Sequence, residues 1–390
     1  MKILQLSTGH LGGAGLAARR LNSGLVEAGI DSTFVSLEND NFLVERQEYA
    51  VRRSIAHRVV GGALASLQRN FSSRILFSSF SLTSLVAKDL IQISPPGETI
   101  IHIHNWQNLI NEQLIQDLID LGYKIVFTLH DQRTFTGGCH YSFDCKGFVD
   151  ECRSCPLIPV IINSIPRYVV KRSPLMGLPA SNIRLIGPSN WILKLAAESR
   201  LLSGFTSVTI SNVLGSSWRE MVSLIKFQKN SVFTVGVASM DPSSYVKGGD
   251  ILEILESEIR ETDFSIVRLS DFKEGREADF WGQIDCLLVP SRIDNSPNVI
   301  HEGKSLGIPI IGSNVGGISE ILDENDFLFD PYCVTPMDLL GIIQSLKENP
   351  RGRLNDAKHY LPKIISRDSE IIQEHIRLYS SLLSGDNPAL

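Results

Sequence analysis

Short apolar runs recur along the whole chain, with helical stretches between many of them. In the first half they are residues 2–6, 99–104, 124–128, 184–187 and 207–210. In the second half they are 231–235, 265–269, 284–289, 308–312 and 327–329. Many are near-continuous rather than alternating, which is the pattern of strands buried on both faces of a parallel sheet. The intervening stretches carry helix signals. Residues 16–28 end at Gly29, and Thr335-Pro336-Met337-Asp338 is a capping box with proline at the first helical position, its helix stopping before Pro350. Strands alternating with helices define a doubly wound α/β fold.

The pattern restarts near Ser231, and 390 residues are too many for one typical domain. We therefore expect two Rossmann-like domains with parallel sheets facing across a cleft. The expected bounds are 1–205, carrying a cysteine-rich insertion at 136–156, then 206–365, then a terminal helix within 366–390. In that last helix Ile371, Ile372, Ile376, Tyr379, Leu382 and Leu383 recur at helical spacing. It reads as a packing helix that straps the domains.

A net charge of −6 argues against a polyanion partner, so nucleic acid is not expected. The N-terminal apolar run is too short for a secretion signal, and no uncharged run reaches the length of a membrane span. The expectation is a cytoplasmic protein.

The richest chemistry lies in the second half. After the strand ending at Val289 comes Pro-Ser-Arg-Ile-Asp-Asn-Ser-Pro-Asn, with Ser296 as the expected N-cap and Pro297 at the first helical position. The helix should end near Leu306, with Gly307 as its left-handed stop. Backbone N–H groups at 296–298 would point beyond the carboxyl end of the sheet, where such folds bind anions. Asp294 precedes this helix and Glu302 lies inside it, four residues after Asn298. Two carboxylates beside a phosphate make sense as hydroxyl acceptors, one for a sugar and one for a ribose. The plainer alternative is a solvated loop aspartate and a surface helical glutamate. Lys247, in Tyr-Val-Lys-Gly-Gly, can reach a phosphate as a point charge, and Asn314-Val-Gly-Gly-Ile-Ser-Glu320 forms a third turn at a strand end.

In the first half, Gly9-His-Leu-Gly-Gly-Ala-Gly15 follows the first strand. It lets backbone approach a ligand closely, or simply packs a helix on a strand. It is neither a Walker A motif nor a dinucleotide fingerprint. His130, followed by Asp131, stands at the carboxyl end of a strand; His104 ends Ile-His-Ile-His. Cys139, Cys145, Cys152 and Cys155 fall within seventeen positions, and the last two form a zinc-type C-x2-C half-site. Structural zinc, free thiols and a disulfide pair all remain open. Arg52, Arg53, Arg58, Arg69 and Arg74 interleave with Ile55, Val59, Val60, Leu64 and Leu67, with no acid between Glu48 and Asp89. That is either a basic amphipathic surface for an anionic membrane or an ordinary solvated helix.

These segments resemble the retaining glycosyltransferases of family 4, which have the GT-B fold. Their Glu-x7-Glu motif stands here as Asp294-x7-Glu302, followed by Gly307-Ile-Pro309 and Gly316-Gly317-Ile-Ser-Glu320. The resemblance covers nearly the whole chain. It implies transfer of a hexose from a nucleoside diphosphate-sugar to a hydroxyl of a glycan or lipid-linked acceptor, in cell-surface polysaccharide synthesis. It implies that Asp294 binds donor-sugar hydroxyls, Glu302 the ribose, and Lys247 the diphosphate. Asn295, Ser296, Pro297 and Asn298 would hold phosphate or sugar. Gly12, Gly13 and His130 would also lie at the donor, the histidine touching its sugar. The cysteine quartet resembles an insertion of capsule- and exopolysaccharide-type members.

The sequence departs from the family pattern in three places. Asp294 replaces the usual glutamate, no arginine follows the strand that ends at Val235, and the interval from Val235 to Pro290 is short. No Asp-x-Asp pair is present, so a metal-chelated diphosphate is not expected, and no cofactor is required. Family precedent implies retention, by a front-face route. The rivals are an epimerase or phosphorylase of the same fold, or a degenerate, non-catalytic nucleotide-sugar-binding protein of a glycan-assembly complex.

Overall fold

The computed structural model describes the chain except residues 38–46, 54, 70–75, 79–81, 229–230, 240, 242, 260–263, 274, 349–355 and 387–390. It divides into two compact units, Met1–Val213 with Glu370–Leu390, and Leu214–Ser369.

Among the described residues the first unit holds a seven-stranded sheet. Its strands are β1 (Lys2–Ser7), β2 (Asp31–Leu37), β3 (Glu48–Val51), β4 (Thr99–Asn105), β5 (Lys124–Thr128), β6 (Ile183–Gly187) and β7 (Ser207–Thr209). Their order is β3-β2-β1-β4-β5-β6-β7, all parallel. Alternate residues feed two cores. Leu4, Leu6, Ile101, Ile103, Ile125 and Phe127 pack on one face. Ile3, Ile100, Val126 and Ile186 pack on the other. Burial on both faces is why the apolar runs are continuous.

β2 and β3 were not among the expected strands. β2 reads Asp-Ser-Thr-Phe-Val-Ser-Leu, and its polar residues mask it; yet Ser32 and Ser36 are fully buried, and the Ser32 hydroxyl donates to Asn22 Oδ1 at 2.7 Å. The helix after β1 also begins earlier than expected, at Gly12 rather than Leu16 (Gly12–Glu27). Gly12 takes φ +79°, which lets the chain turn directly into the helix. A Cβ on Gly15 would stand 2.3 Å from the Gly9 carbonyl, so this glycine packs the first helical turn on the loop.

The second unit holds β8 (Phe233–Val237), β9 (Phe264–Arg268), β10 (Cys286–Val289), β11 (Ile310–Ser313) and β12 (Phe327–Phe329). Their order is β12-β11-β10-β8-β9, again parallel. Leu287, Val289 and Ile310 face one core; Val235, Val237, Leu288 and Ile311 face the other. The expected capping box forms: Thr335 N–H donates to Asp338 Oδ2 at 2.9 Å, and Asp338 N–H to Thr335 Oγ1 at 3.2 Å, opening the helix Pro336–Glu348.

The last helix, Leu361–Ser384, passes from the second unit into the first at Glu370. In the first unit its Ile371, Ile372, Leu378, Tyr379 and Leu382 join the core of Ile3, Leu25, Ile100 and Val126. Burying five such side chains is worth on the order of 10 kcal/mol before ordering entropy is subtracted.

Candidate functional site

In the second unit three loops at the carboxyl ends of β8, β10 and β11 close on one another. Two glycines permit it. A Cβ on Gly248 (φ +74°) would lie 1.9 Å from the Pro290 carbonyl oxygen, and one on Gly316 (φ +58°) 1.8 Å from that of Asp294. Backbone bonds lock the contact: Arg292 N–H to the Val246 carbonyl at 2.9 Å, and Gly317 N–H to that of Asp294 at 3.1 Å. Any side chain at these glycines would push the loops apart.

This closure brings Lys247 and Asp294 together. Lys247 Nζ lies 2.5 Å from Asp294 Oδ2. The other carboxylate oxygen accepts the Asn295 N–H at 2.9 Å. Asp294 and Glu302 are each only 6% exposed, so neither is the solvated carboxylate of the plainer reading. Asn295 is buried as well. A buried aspartate with a half-exposed lysine beside it is an ordered charge pair, and the lysine keeps protons free to meet an anion.

Ser296 departs from expectation. It does not cap the helix; its hydroxyl is 2.8 Å from His301 Nε2. The helix runs Asn298–Ser305, with Pro297 at the N-cap position and no side-chain cap bond. Proline's fixed φ of −63° suits that place, and the hydroxyl finds a better partner one turn on. Gly307 does end the helix, at φ +67°.

Arg292 lies on the same loop but faces elsewhere. Its guanidinium is 2.5 Å from Asp250 Oδ2 and donates to the Pro331 carbonyl at 2.8 Å. It sits 4.8 Å and 5.3 Å from the ring centres of Tyr245 and Tyr332. It therefore braces the loops.

In the first unit, β1, β4 and β5 present polar side chains on the face that carries Ile3, Ile100 and Val126. His104 Nε2 is 2.7 Å from Gln5 Oε1, and its Nδ1 is 3.0 Å from His130 Nε2. His102 bonds Thr128 Oγ1 and Tyr379 OH, each at 2.7 Å. His375, on the last helix, bonds the Ile371 carbonyl at 2.9 Å and stands 6.2 Å from the His102 ring. Burial pushes His130 and His375 down to about 4, and holds His102 and His104 well below the ordinary imidazole value. His130 is thus a neutral hydrogen-bonding group at neutral pH. It lines a small pocket with His104, Thr128, Ser211, Asn212 and His375.

Gly12 and Gly13 form the start of their helix. A Cβ on Gly13 would meet nothing within 4 Å, unlike one on Gly15. His140 was not singled out in the sequence, yet its Nδ1 lies 2.6 Å from Asp131 Oδ2 and its Nε2 2.8 Å from Gln107 Nε2. Burial alone would raise the Asp131 carboxyl; His140 and the Arg133 N–H outweigh it and hold it low.

Cys139, Cys145, Cys152 and Cys155 are free thiols that line one small cavity with Phe77 and Phe148. Burial and mutual repulsion raise Cys139 and Cys155 and push Cys152 up to about 11. Among the described residues no three His, Cys, Asp or Glu side chains are gathered as a metal site. The donor set suits zinc; the thiols surround one space without forming a closed ligand shell.

Known proteins match this architecture. Residues 242–347, which include Lys247, Asp294 and Glu302, fit the family described as glycosyl transferases group 1. A curated relative, the putative colanic acid biosynthesis glycosyl transferase WcaC of Escherichia coli K12, is 23% identical over 374 residues, spanning 83% of this chain and 86% of the relative. Among solved structures, sucrose-phosphate synthase from Thermosynechococcus elongatus is similar at a TM-score of 0.62 and 12% identity, over 99% of this chain and 100% of its own. Anabaena Alr3699/HepE in complex with UDP and glucose is similar at a TM-score of 0.58 and 14% identity, over 98% and 100%. The two parallel sheets are those of a GT-B fold. The chain is a glycosyltransferase, with a group 1 segment in its second unit.

Proposed function

We propose that this glycosyltransferase moves a hexose from a nucleoside diphosphate-sugar to a hydroxyl of a glycan or lipid-linked acceptor, with retention and without a catalytic metal, in making a cell-surface polysaccharide. The observation that carries the reading is the Lys247–Asp294 pair at 2.5 Å, held by glycine-closed loops at the strand ends beside the buried Glu302. The curated relative named for colanic acid biosynthesis supports the polysaccharide, and the neighbour solved with UDP and glucose supports the donor class.

Chemically, a departing diphosphate needs positive charge where its negative charge grows. Lys247 supplies a point charge, and the N-terminus of the helix Asn298–Ser305 adds the positive end of its dipole. Asp294 takes sugar hydroxyls and Glu302 the ribose. The resemblance assigns His130, Gly12 and Gly13 to the donor as well. In the front-face route the leaving phosphate takes the proton of the acceptor hydroxyl. A panel of nucleotide-sugars, read by thermal stabilisation, should find one that raises the melting temperature. Lys247→Ala should weaken that donor roughly 10- to 100-fold, the worth of a hydrogen bond to a charged group. No stabilisation by any donor, with no donor hydrolysis or transfer, would leave a non-catalytic binding protein instead.

We also assign the cysteine quartet to a structural zinc ion held by Cys139, Cys145, Cys152 and Cys155. When bound, zinc would tie two buried and two half-buried thiols, as thiolates, into one cross-link. Metal analysis of the purified protein should find one zinc per chain; no metal, with all four thiols readily titrated, rejects the assignment.

Finally, we assign the helix Ile55–Arg69 to an anionic membrane surface at the inner face of the plasma membrane. Ile55, Val59, Val60 and Leu67 are more than half exposed, within an arc of roughly 140° at about 100° per residue. Leu64 is half-buried; Arg74 of the expected basic segment lies outside the described residues. No described helix is long and apolar enough to cross a membrane.

A further inference from the structure

A second acid-free stretch lies elsewhere in the first unit. Residues 152–197 carry Arg153, Arg167, Lys171, Arg172, Arg184 and Lys194 and no Asp or Glu, in a chain whose net charge is −6. Within it, a short turn, Val160–Ile162, holds two side chains outward: Val160 is 83% exposed and Ile161 is 90% exposed. They are the most exposed large aliphatic side chains among the described residues.

This exposure is built by the fold. The neighbours Ile158 and Ile162 turn inward and pack with Phe77, Cys139, Phe143 and Cys155. The turn is closed by Ile162 N–H to the Pro159 carbonyl at 3.0 Å. A small core therefore anchors the turn from below and presents Val160 and Ile161 at its tip. The following helix, Ile165–Arg172, brings up Tyr168, 54% exposed, with the Arg172 guanidinium 5.2 Å from its ring centre. Glu151 is shared among Arg153, Arg167 and Lys171 at 3.5, 3.1 and 3.5 Å, and Asp150 meets Arg153 at 2.8 Å. Cations therefore outnumber the carboxylates that face them.

We propose that the Val160–Ile162 turn is a second membrane contact. Val160 and Ile161 enter the boundary of the acyl chains, while Tyr168, Arg167, Lys171 and Arg172 meet anionic headgroups. Charge complementarity selects the bilayer over a neutral surface. Size selects it over a protein: two protruding side chains fall far short of the roughly 1,000 Å² that a stable protein interface needs, whereas a bilayer requires no matching pocket. Backbone bonds tie the stretch after the helix Ile55–Arg69 to the cysteine-rich loop, through Ser78 N–H to the Gly138 carbonyl at 2.7 Å and His140 N–H to that of Leu76 at 3.1 Å. The half-exposed Leu76 thus lies next to that loop. The proposal does not depend on the donor site.

The test uses the full chain with vesicles of phosphatidylcholine, with and without phosphatidylglycerol. The double variant V160D/I161D should bind the anionic vesicles about tenfold more weakly or worse, since two charges then oppose insertion. Its melting temperature and any donor-induced stabilisation should be unchanged. Ile161→Trp should add a blue-shifted emission component on anionic vesicles alone. Unaltered vesicle binding by V160D/I161D, no blue shift, or loss of all binding in V59D/V60D alone would overturn the proposal. So would a concentration-dependent dimer abolished by V160D/I161D, because the turn would then be a protein interface.

Discussion

Mild acid is expected to unfold the first unit, with stability falling steeply from about pH 6.5 downward, because ordinary unfolded imidazoles titrate near 6.5. The cause is the column of His102, His104, His130 and His375, of which His130 alone is partly exposed. Its hydrogen bonds, from Gln5 through His104 to His130 and from Thr128 through His102 to Tyr379, are satisfied by neutral rings. Burial depresses all four folded values, His130 and His375 to about 4. Between that value and 6.5 the unfolded chain holds more protons than the folded one, so stability rises with pH in this window and is lost as pH falls. The slope fades above 6.5 and is nearly gone about one pH unit higher. Each histidine is worth up to about 1.4 kcal/mol per pH unit, so His130 and His375 alone cost about 3 kcal/mol between pH 6.5 and 5. That is a large share of a typical 5–15 kcal/mol stability. Melting temperatures followed by circular dichroism at pH 7.5, 6.5, 5.5 and 5 would check it, and a flat profile down to pH 5 would count against it. His375→Leu should make the slope shallower, since one buried titrating ring is removed.

The histidine column shows what a sequence can and cannot reveal. Ile-His-Ile-His and Thr-Leu-His130 put their polar residues two apart, which is the spacing of one sheet face, and Gln5 shares it. That signal was available. The partners Tyr379 and His375 were not, because they arrive on a helix 277 residues from His102 in the case of Tyr379. The sheets themselves were legible wherever burial on both faces made the strand apolar, as in β5, whose bounds match. β2 escaped because its serines are buried in the sheet, Ser32 through a bond to Asn22 that composition does not show. In the second unit, the succession of Lys247, Asp294 and the Gly316-Gly317 turn on neighbouring strand ends marked the candidate site. Their closeness was not legible: it depends on Gly248 and Gly316 passing within van der Waals distance of Pro290 and Asp294. Ser296 misled because a good capping residue was diverted by His301.

Glu302→Gln is expected to lower kcat/KM for transfer roughly 100-fold or more, since a buried group built to accept two hydroxyls discriminates strongly against a mispaired partner. The carboxylate is 6% exposed, so its lone pairs cannot turn to water without moving the helix Asn298–Ser305. Glutamine keeps the shape and one acceptor but offers an N–H₂ where a second hydroxyl must donate. The melting temperature without donor should change little, because the replacement is isosteric. The binding pattern separates the two acids. If Glu302 takes the ribose, Glu302→Gln weakens the free nucleoside diphosphate and the sugar nucleotide alike. If Asp294 takes the sugar, Asp294→Asn weakens the sugar nucleotide, while the free diphosphate binds as well or better because Lys247 loses its carboxylate partner at 2.5 Å. Titrating both ligands against both variants by calorimetry tests each role. Wild-type turnover in Glu302→Gln would reject the ribose assignment. Equal losses for both ligands in Asp294→Asn would instead mean that its pairing with Lys247, rather than a sugar contact, is what the site requires.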